Sequence, residues 1–196
     1  SDLYYVFDKY LSLKILNMFL FSLNLEVNMK NIRVLNTDDL ESYKELMSNG
    51  YHNYAWDQYY LEHVTEECLN SILSEETKYL NVFGAFDNNH LVATCTLKQI
   101  KFVGKRHKAV LENNFVKDND EIINRELINH IIEFAKTQGI EMLMTTIASN
   151  NISAKIFFSS LGFENLAFEK NASKIGDEYL DENWLIYYTS DIPSNS

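Results

Sequence analysis

A chain of 196 residues has room for one domain with a substantial core, and 46% hydrophobic with 23% charged residues is the composition of a soluble globular protein. Lys and Arg number 17 against 28 Asp and Glu, a net charge of −11. This argues against nucleic acid or an anionic membrane as partner, since both demand a basic footprint. The same acidity suits an amine-bearing substrate, or simply a solvated acidic surface. Cys68 and Cys95 are the only cysteines; far apart and without metal-ligand spacing, they read as free thiols in a reducing cytoplasm, and no metal site is expected.

Residues 1–28 read as an apolar N-terminal extension. Its stretch 11–25 (LSLKILNMFLFSLNL) is broken by Lys14, Asn17 and Asn24, falls short of a membrane span and lacks the small-residue cleavage site of a secretory leader. It offers a helix to pack on its own domain or on a partner, a second copy included. Met29 opens a domain expected to run over 29–190, and 191–196 is a polar tail.

Within that domain, 31–35 reads as a strand. Asp38 or Asp39 is then placed to cap a helix with Leu40, Tyr43, Leu46 and Met47 at helical spacing, stopped at Asn49-Gly50. Residues 51–60 (YHNYAWDQYY) crowd aromatic side chains with a histidine, to wall an apolar or cationic ligand or to fill core under a loop. Val64, Cys68, Ile72 and Leu73 mark a second helix. Runs at 79–86 and 91–97 around Asp87-Asn88-Asn89-His90 predict a hairpin, and 102–108 (FVGKRHK) is a basic loop.

The stretch 110–163 organises the rest. After a strand and a turn, Ile123, Leu127, Ile128, Ile131, Ile132 and Ala135 line one helix face, which Gly139 terminates. Met142, Met144 and Ile147 predict a buried strand, so that strand, helix and strand make a parallel crossover. Residues 166–168 and 184–188 predict two closing strands with a polar loop between them.

Several residues here follow a known pattern: Glu112 with Val116 four residues on, Ala135-Lys136-Thr137-Gln138-Gly139, Asn151, and Leu161-Gly162-Phe163. In this order and spacing the stretch resembles the cofactor-binding half of the GCN5-related N-acetyltransferase (GNAT) superfamily. The resemblance implies an α/β (α+β) fold, a mixed, mostly antiparallel sheet flanked by helices, and acetyl-coenzyme A as co-substrate for acetylating a small-molecule or peptide amine by direct attack. It also implies site roles. Backbone around Phe115, Val116 and Lys117 would hold the pantetheine arm and polarise the thioester. The helix start at Ile123, Asn124 and Arg125 would face the diphosphate, and Asn151 the pantetheine. Tyr51, Trp56 and Tyr59 would wall the acceptor pocket. Glu112 is the candidate base, or else a carboxylate hydrogen-bonded within or exposed on the sheet; strand parity sets it on the side of Val110, Asn114 and Val116.

Two departures stand out. The diphosphate loop reads Lys117-Asp118-Asn119-Asp120-Glu121-Ile122-Ile123-Asn124, without the family's glycines, and Asp118 with Glu121 is spaced like a capping pair that would place carboxylates where an anion should bind. Phe158 stands, along the cofactor that the resemblance implies, where the family often has a tyrosine as general acid. Both features also suit an alternative reading, a catalytically silent binding module of the same fold.

Overall fold

The computed structural model describes residues 31–49, 51–52, 65–74 and 79–190, with the backbone alone at 51, 52 and 175. The chain divides into two compact units, Ser1–Asn31 and Ile32–Ser196; the extension at 1–28 and the tail at 191–196 lie outside the described residues. The elements in order are β1 (Asn31–Val34), α1 (Leu40–Asn49), β2 (Tyr51–His52), α2 (Glu66–Ser74), β3 (Leu80–Asp87), β4 (His90–Gln99), β5 (Lys108–Val116), α3 (Glu121–Thr137), β6 (Met142–Ala148), α4 (Ile152–Ser160), β7 (Glu164–Ile175) and β8 (Glu178–Tyr188). The strands form one sheet in the order β1-β3-β4-β5-β6-β8-β7, with β2 added against β5. The β5–β6 pair, joined through α3, is parallel; β3–β4, β4–β5, β6–β8 and β7–β8 are antiparallel.

Neighbouring residues along β3 feed two different cores, which places helices on both faces of the sheet. Phe83 packs with Leu97, Leu111, Leu143 and Leu185 against α3 and α4, whereas Val82 and Phe86 pack with Leu91 and Phe115 against α1 and α2. The predicted α3 face is the buried one, with Asn124 added to it. On α2 the buried pair is Leu69 and Leu73, and Cys68, expected inside, is exposed.

Two helices end in the same way, which gives the Gly139 and Leu161-Gly162-Phe163 motifs their physical meaning. Gly139 (φ +69°) closes α3 with bonds from its N–H to Lys136 O and from Ile140 N–H to Ala135 O. Gly162 (φ +95°) closes α4 with bonds to Ser159 O and, through Phe163 N–H, to Phe158 O. Both are Schellman motifs, and the accompanying apolar contact is the Phe158–Phe163 ring pair, with centroids 5.2 Å apart.

The start of α1 differs from expectation. The cap is Asn36, whose side chain accepts from Asp38 N while Asp39 accepts from Asn36 N, a capping box around a 3₁₀ turn at Thr37–Asp39. Asp39 is otherwise held by Arg33, which donates to both carboxylate oxygens at 2.7 Å and lies over the Phe86 ring. The Arg33 hydrogen bond holds the Asp39 carboxyl below its usual range. A depressed folded-state pKa adds stability above the unfolded value and loses it as pH falls through the folded one. Arg33→Ala is therefore expected to cost about 2 kcal/mol near neutral pH, and the gap to wild type should close below about pH 4. Urea denaturation across a pH series checks this; a gap that stays constant into acid would assign the loss to packing on Phe86.

β7 and β8 form one long hairpin turning at Gly176-Asp177, where the sequence predicts two short strands and a polar loop. The arm is largely solvent-exposed on β7, so it lacks the apolar alternation that marks a half-buried strand. Among the described residues no helix is long and apolar enough to cross a membrane, and no group of His, Cys, Asp or Glu could hold a metal ion.

Candidate active site

The parallel β5–β6 ladder runs only from Lys108↔Met142 to Val110↔Met144. Both strands continue, β5 to Val116 and β6 to Ala148, so the sheet opens between them. At the vertex the Thr145 hydroxyl donates to Leu111 O at 3.2 Å, replacing the ladder bond that ends there. Two facing strand edges with backbone groups directed into a wedge are a ready acceptor for an extended ligand.

On its other edge β5 stays paired with β4, but with one residue too many. Thr96 opposes Glu112 and Thr94 opposes Phe115, leaving Asn113 and Asn114 against Cys95 alone. Asn113 takes up the extra length at φ +51°, a left-handed conformation that asparagine tolerates better than most residues. This bulge corrects the side-chain parity read from the sequence. Glu112 does not share a side with Asn114 and Val116. It faces the α1–α2 side beside Thr96, with its Oε1 3.5 Å from Lys98 Nζ and its side chain 40% exposed. Asn114 and Val116 turn towards α3.

There Asn114 Nδ2 donates to Asn124 Oδ1 at 2.9 Å and to Thr94 O at 3.0 Å, and Asn124 Nδ2 returns a 3.1 Å bond to Asn114 Oδ1. Both amides are buried. Asn124, expected at the diphosphate, thus spends its side chain on Asn114 and fastens the bulge to the first turn of α3. On the same core side, burial pushes the Cys95 thiol far above its ordinary range, with the Glu112 charge adding to it, so it is not a nucleophile.

The turn before α3 uses Asp118 (φ 54°, ψ 20°) and Asn119 (φ 54°) in the left-handed region. These two residues adopt, without glycine, the backbone that glycine provides elsewhere. The expected cap by Asp118 and Glu121 does not form. Asp120 is the cap, its Oδ1 accepting from Ile122 N at 2.9 Å and Ile123 N at 3.1 Å; with Asp118 left-handed, the chain enters the helix two residues later. That carboxylate does not engage the amides of Asp118, Asn119 or Glu121. Ile123 is buried and its side chain belongs to the core. Lys117 is exposed, and Arg125 reaches across to α4, donating to Ser160 Oγ at 2.8 Å above the Phe157 ring.

Asn151 caps α4, accepting from Ala154 N at 3.0 Å. Phe158, expected along a ligand, is buried between Phe157 and Phe163; it anchors the helix end. β2 pairs Tyr51↔Val116 and His52↔Phe115. Because β4 holds one edge of those β5 residues, β2 must take the other, on the side of the wedge. Trp56 and Tyr59 lie outside the described residues, as does the Tyr51 side chain. Sequence reasoning missed Thr94, Thr96, Lys98 and Asn114; the Asn113-Asn114 pair was the available signal, as a dipeptide that tolerates positive φ inside a strand.

The family model for the acetyltransferase (GNAT) domain matches residues 32–184. The chain belongs to the GNAT acetyltransferase family. A probable acetyltransferase from Staphylococcus epidermidis is similar to it at 71% identity and TM-score 0.78, covering 83% of this chain and 100% of that one. An N-acetyltransferase from Staphylococcus aureus is 40% identical with TM-score 0.66, covering 82% and 98%. A protein from Salmonella typhimurium solved with its cofactor acetyl-CoA is 16% identical with TM-score 0.69, covering 86% and 99%, and shares the fold. No curated protein matches. These likenesses favour the transferase over the silent module. GNAT acetyltransferases take their acetyl group from acetyl-CoA, and the residues present fit it: the wedge edge of Leu111–Asn114 lies beyond both the β6 ladder and β2, and the left-handed turn leads to amides that Asp120 leaves unengaged.

Proposed function

We propose that this GNAT domain transfers the acetyl group of acetyl-CoA to a cationic small-molecule or peptide amine by direct attack, with Glu112 as the base. The observation that carries the reading is the open wedge, which leaves β5 backbone facing β6, beside Glu112, which alternates with Leu111 and so stands on the face of the sheet away from the α3 core. The pantetheine arm pairs with that backbone, where an N–H from β5 polarises the thioester carbonyl. The amides of Asp118, Asn119 and Glu121, with Lys117 and Arg125, meet the diphosphate. Glu112 removes a proton from the ammonium form of the acceptor; the freed nitrogen attacks the carbonyl carbon, the C–S bond breaks as the nitrogen gives its second proton to solvent, and the thiolate takes up a proton from solvent. Glu182 and Glu169, paired across β8 and β7 on the Glu112 face of the sheet, favour a cationic acceptor, as does the net charge of −11. Free Cys68 and Cys95 fit a reducing cytoplasm.

Thermal unfolding with and without acetyl-CoA tests this. A ligand at a hundred times its Kd adds about 2.7 kcal/mol of stability, and the resulting rise in Tm is expected in wild type and lost in Lys117→Glu/Arg125→Glu. No rise in wild type would refute cofactor binding. His52→Pro removes a backbone donor from β2, and because β2 borders the wedge it is expected to enlarge the acetyl-CoA shift; a smaller shift would make β2 part of the ligand site.

A further inference from the structure

The net charge of −11 is unevenly spread. From Asn88 to Leu111 the chain carries no Asp or Glu, while Lys98, Lys101, Lys105, Arg106 and Lys108 fall within eleven residues. Lys98 is turned to Glu112. The other four flank the tip of the β4–β5 hairpin, where Phe102 and Val103 are 75% and 79% exposed, the most open large apolar side chains among the described residues. Glu141, whose N–H bonds to His107 O at 2.8 Å, sits at the base of the loop. The loop itself is firmly closed. Ile100 N–H bonds to Lys108 O at 2.9 Å, Lys105 N–H to Phe102 O at 2.8 Å, and the buried Gln99 side chain donates to Arg106 O at 2.5 Å. Arg106 in turn donates to Lys101 O at 3.4 Å and lies over the Tyr79 ring. These bonds hold Phe102 and Val103 outward, so water meets two adjacent apolar side chains that the cores do not use.

We infer that this tip docks the domain on an anionic lipid membrane, with Phe102 and Val103 entering the headgroup region while Lys101, Lys105, Arg106 and Lys108 meet lipid phosphates. The tip is convex, and a protein partner would need a pocket shaped to it; a fluid bilayer closes around apolar side chains of any shape. Lys and Arg suit that boundary because their stems lie along apolar surface while their charges stay in water. The backbone of the turn stays among the headgroups, where its polar groups remain hydrated. A cation close to an anionic membrane adds about fivefold to binding. The field fades within about 8 Å in physiological salt, so the acidity of the distant surface counts for little against four cations at the tip. Distance also separates this surface from the chemistry. β5 spans nine residues from Lys108 to Val116, about 26 Å at the rise of a strand, and the wedge opens in the far half of that run. A tip seated in a membrane therefore leaves the wedge facing solution, and the inference does not depend on the reading of Glu112.

Co-sedimentation of the full chain with lipid vesicles tests this. Binding to phosphatidylglycerol vesicles is expected at about 0.1 M salt, with little binding to phosphatidylcholine vesicles and a marked loss at about 0.5 M salt. Lys101→Glu/Lys105→Glu should weaken binding by about 10²–10³-fold, because each reversal removes a favourable charge and adds an opposing one. Phe102→Ser/Val103→Ser should weaken it by about tenfold. Both double variants should melt at the wild-type temperature, since every side chain replaced is exposed. Phe102→Trp should add a blue-shifted emission with the anionic vesicles, a signal that a folding defect would not produce. Wild type that stays in the supernatant overturns the inference. So does binding that survives both double variants, which would belong to the extension at 1–28, and so does equal binding to phosphatidylcholine. Retention on immobilised polyglutamate without vesicle binding, lost in Lys101→Glu/Lys105→Glu, would assign the tip to an acidic protein instead.

Discussion

Glu112→Gln is expected to lower kcat/KM for acetyl transfer by about 10²–10⁴-fold, leaving both stability and acetyl-CoA binding close to wild type. Glutamine keeps the shape of the side chain and removes only its ability to take a proton. Among the described residues the stabilising contact at stake is the ion pair with Lys98, at 3.5 Å between side chains 54% and 40% exposed. A pair so open to water is worth about 0–1 kcal/mol, so a large kinetic loss could not be passed off as unfolding. Coenzyme A release followed against acetyl-CoA concentration, with thermal unfolding on the same samples, separates the two. Because the amide differs from the carboxylate mainly in the transition state, the loss should fall on kcat more than on KM for acetyl-CoA. A variant that works at the wild-type rate would mean the acceptor arrives already neutral, or loses its proton elsewhere.

The parts of this site that were legible in the sequence are those set by local periodicity. Ile123 to Ala135 repeat at helical spacing and become the buried face of α3. Gly139 and Gly162 mark helix ends because a left-handed residue costs glycine least. The hidden parts depend on an irregularity or on a partner distant in sequence. Parity along β5 misplaced Asn114 and Val116 because it assumes one residue per step, and Asn113 breaks the count. The diphosphate turn was judged by its missing glycines, yet Asp118 and Asn119 reach the same backbone region with short polar side chains. Capping was assigned to the wrong aspartate for a related reason: the left-handed turn delays the helix start, so Asp120 meets the amides of Ile122 and Ile123. Thr94 and Thr96 escaped notice inside LVATCTL because an unbroken β-forming run conceals which buried hydroxyls will lack partners among the described residues. The outer part of the β7–β8 hairpin, 169–183, was read as loop because its stability comes from cross-strand pairing, which leaves no apolar stripe behind.

Asn114→Ala should destabilise the domain by about 3 kcal/mol and Asn124→Ala by about 2 kcal/mol, a large share of a typical total of about 5–15 kcal/mol. Neither figure is the worth of a hydrogen bond as such, which nets about 1 kcal/mol; the cost arises because the surviving amide is stranded in a dry interior. Removing Asn114 strands the Oδ1 and Nδ2 of Asn124 and takes the donor from Thr94 O, whereas removing Asn124 leaves Asn114 its bond to Thr94 O. The difference in wiring sets the order of the two. Replacing both residues by leucine leaves no amide stranded, so the double variant should be more stable than the Asn114→Ala single, and an alanine cycle should fall well short of additivity. Urea denaturation with unchanged m-values measures all four proteins. The pair also joins the bulge that follows Glu112 to the helix whose first turn is proposed to meet the diphosphate, so the leucine double variant, though folded, should show a smaller thermal shift with acetyl-CoA. Strictly additive losses, or a double variant that keeps its full shift, would mean that β5 and α3 hold their places without this link, and the positioning of both halves of the site would then have to come from the apolar packing of Val116 against α3.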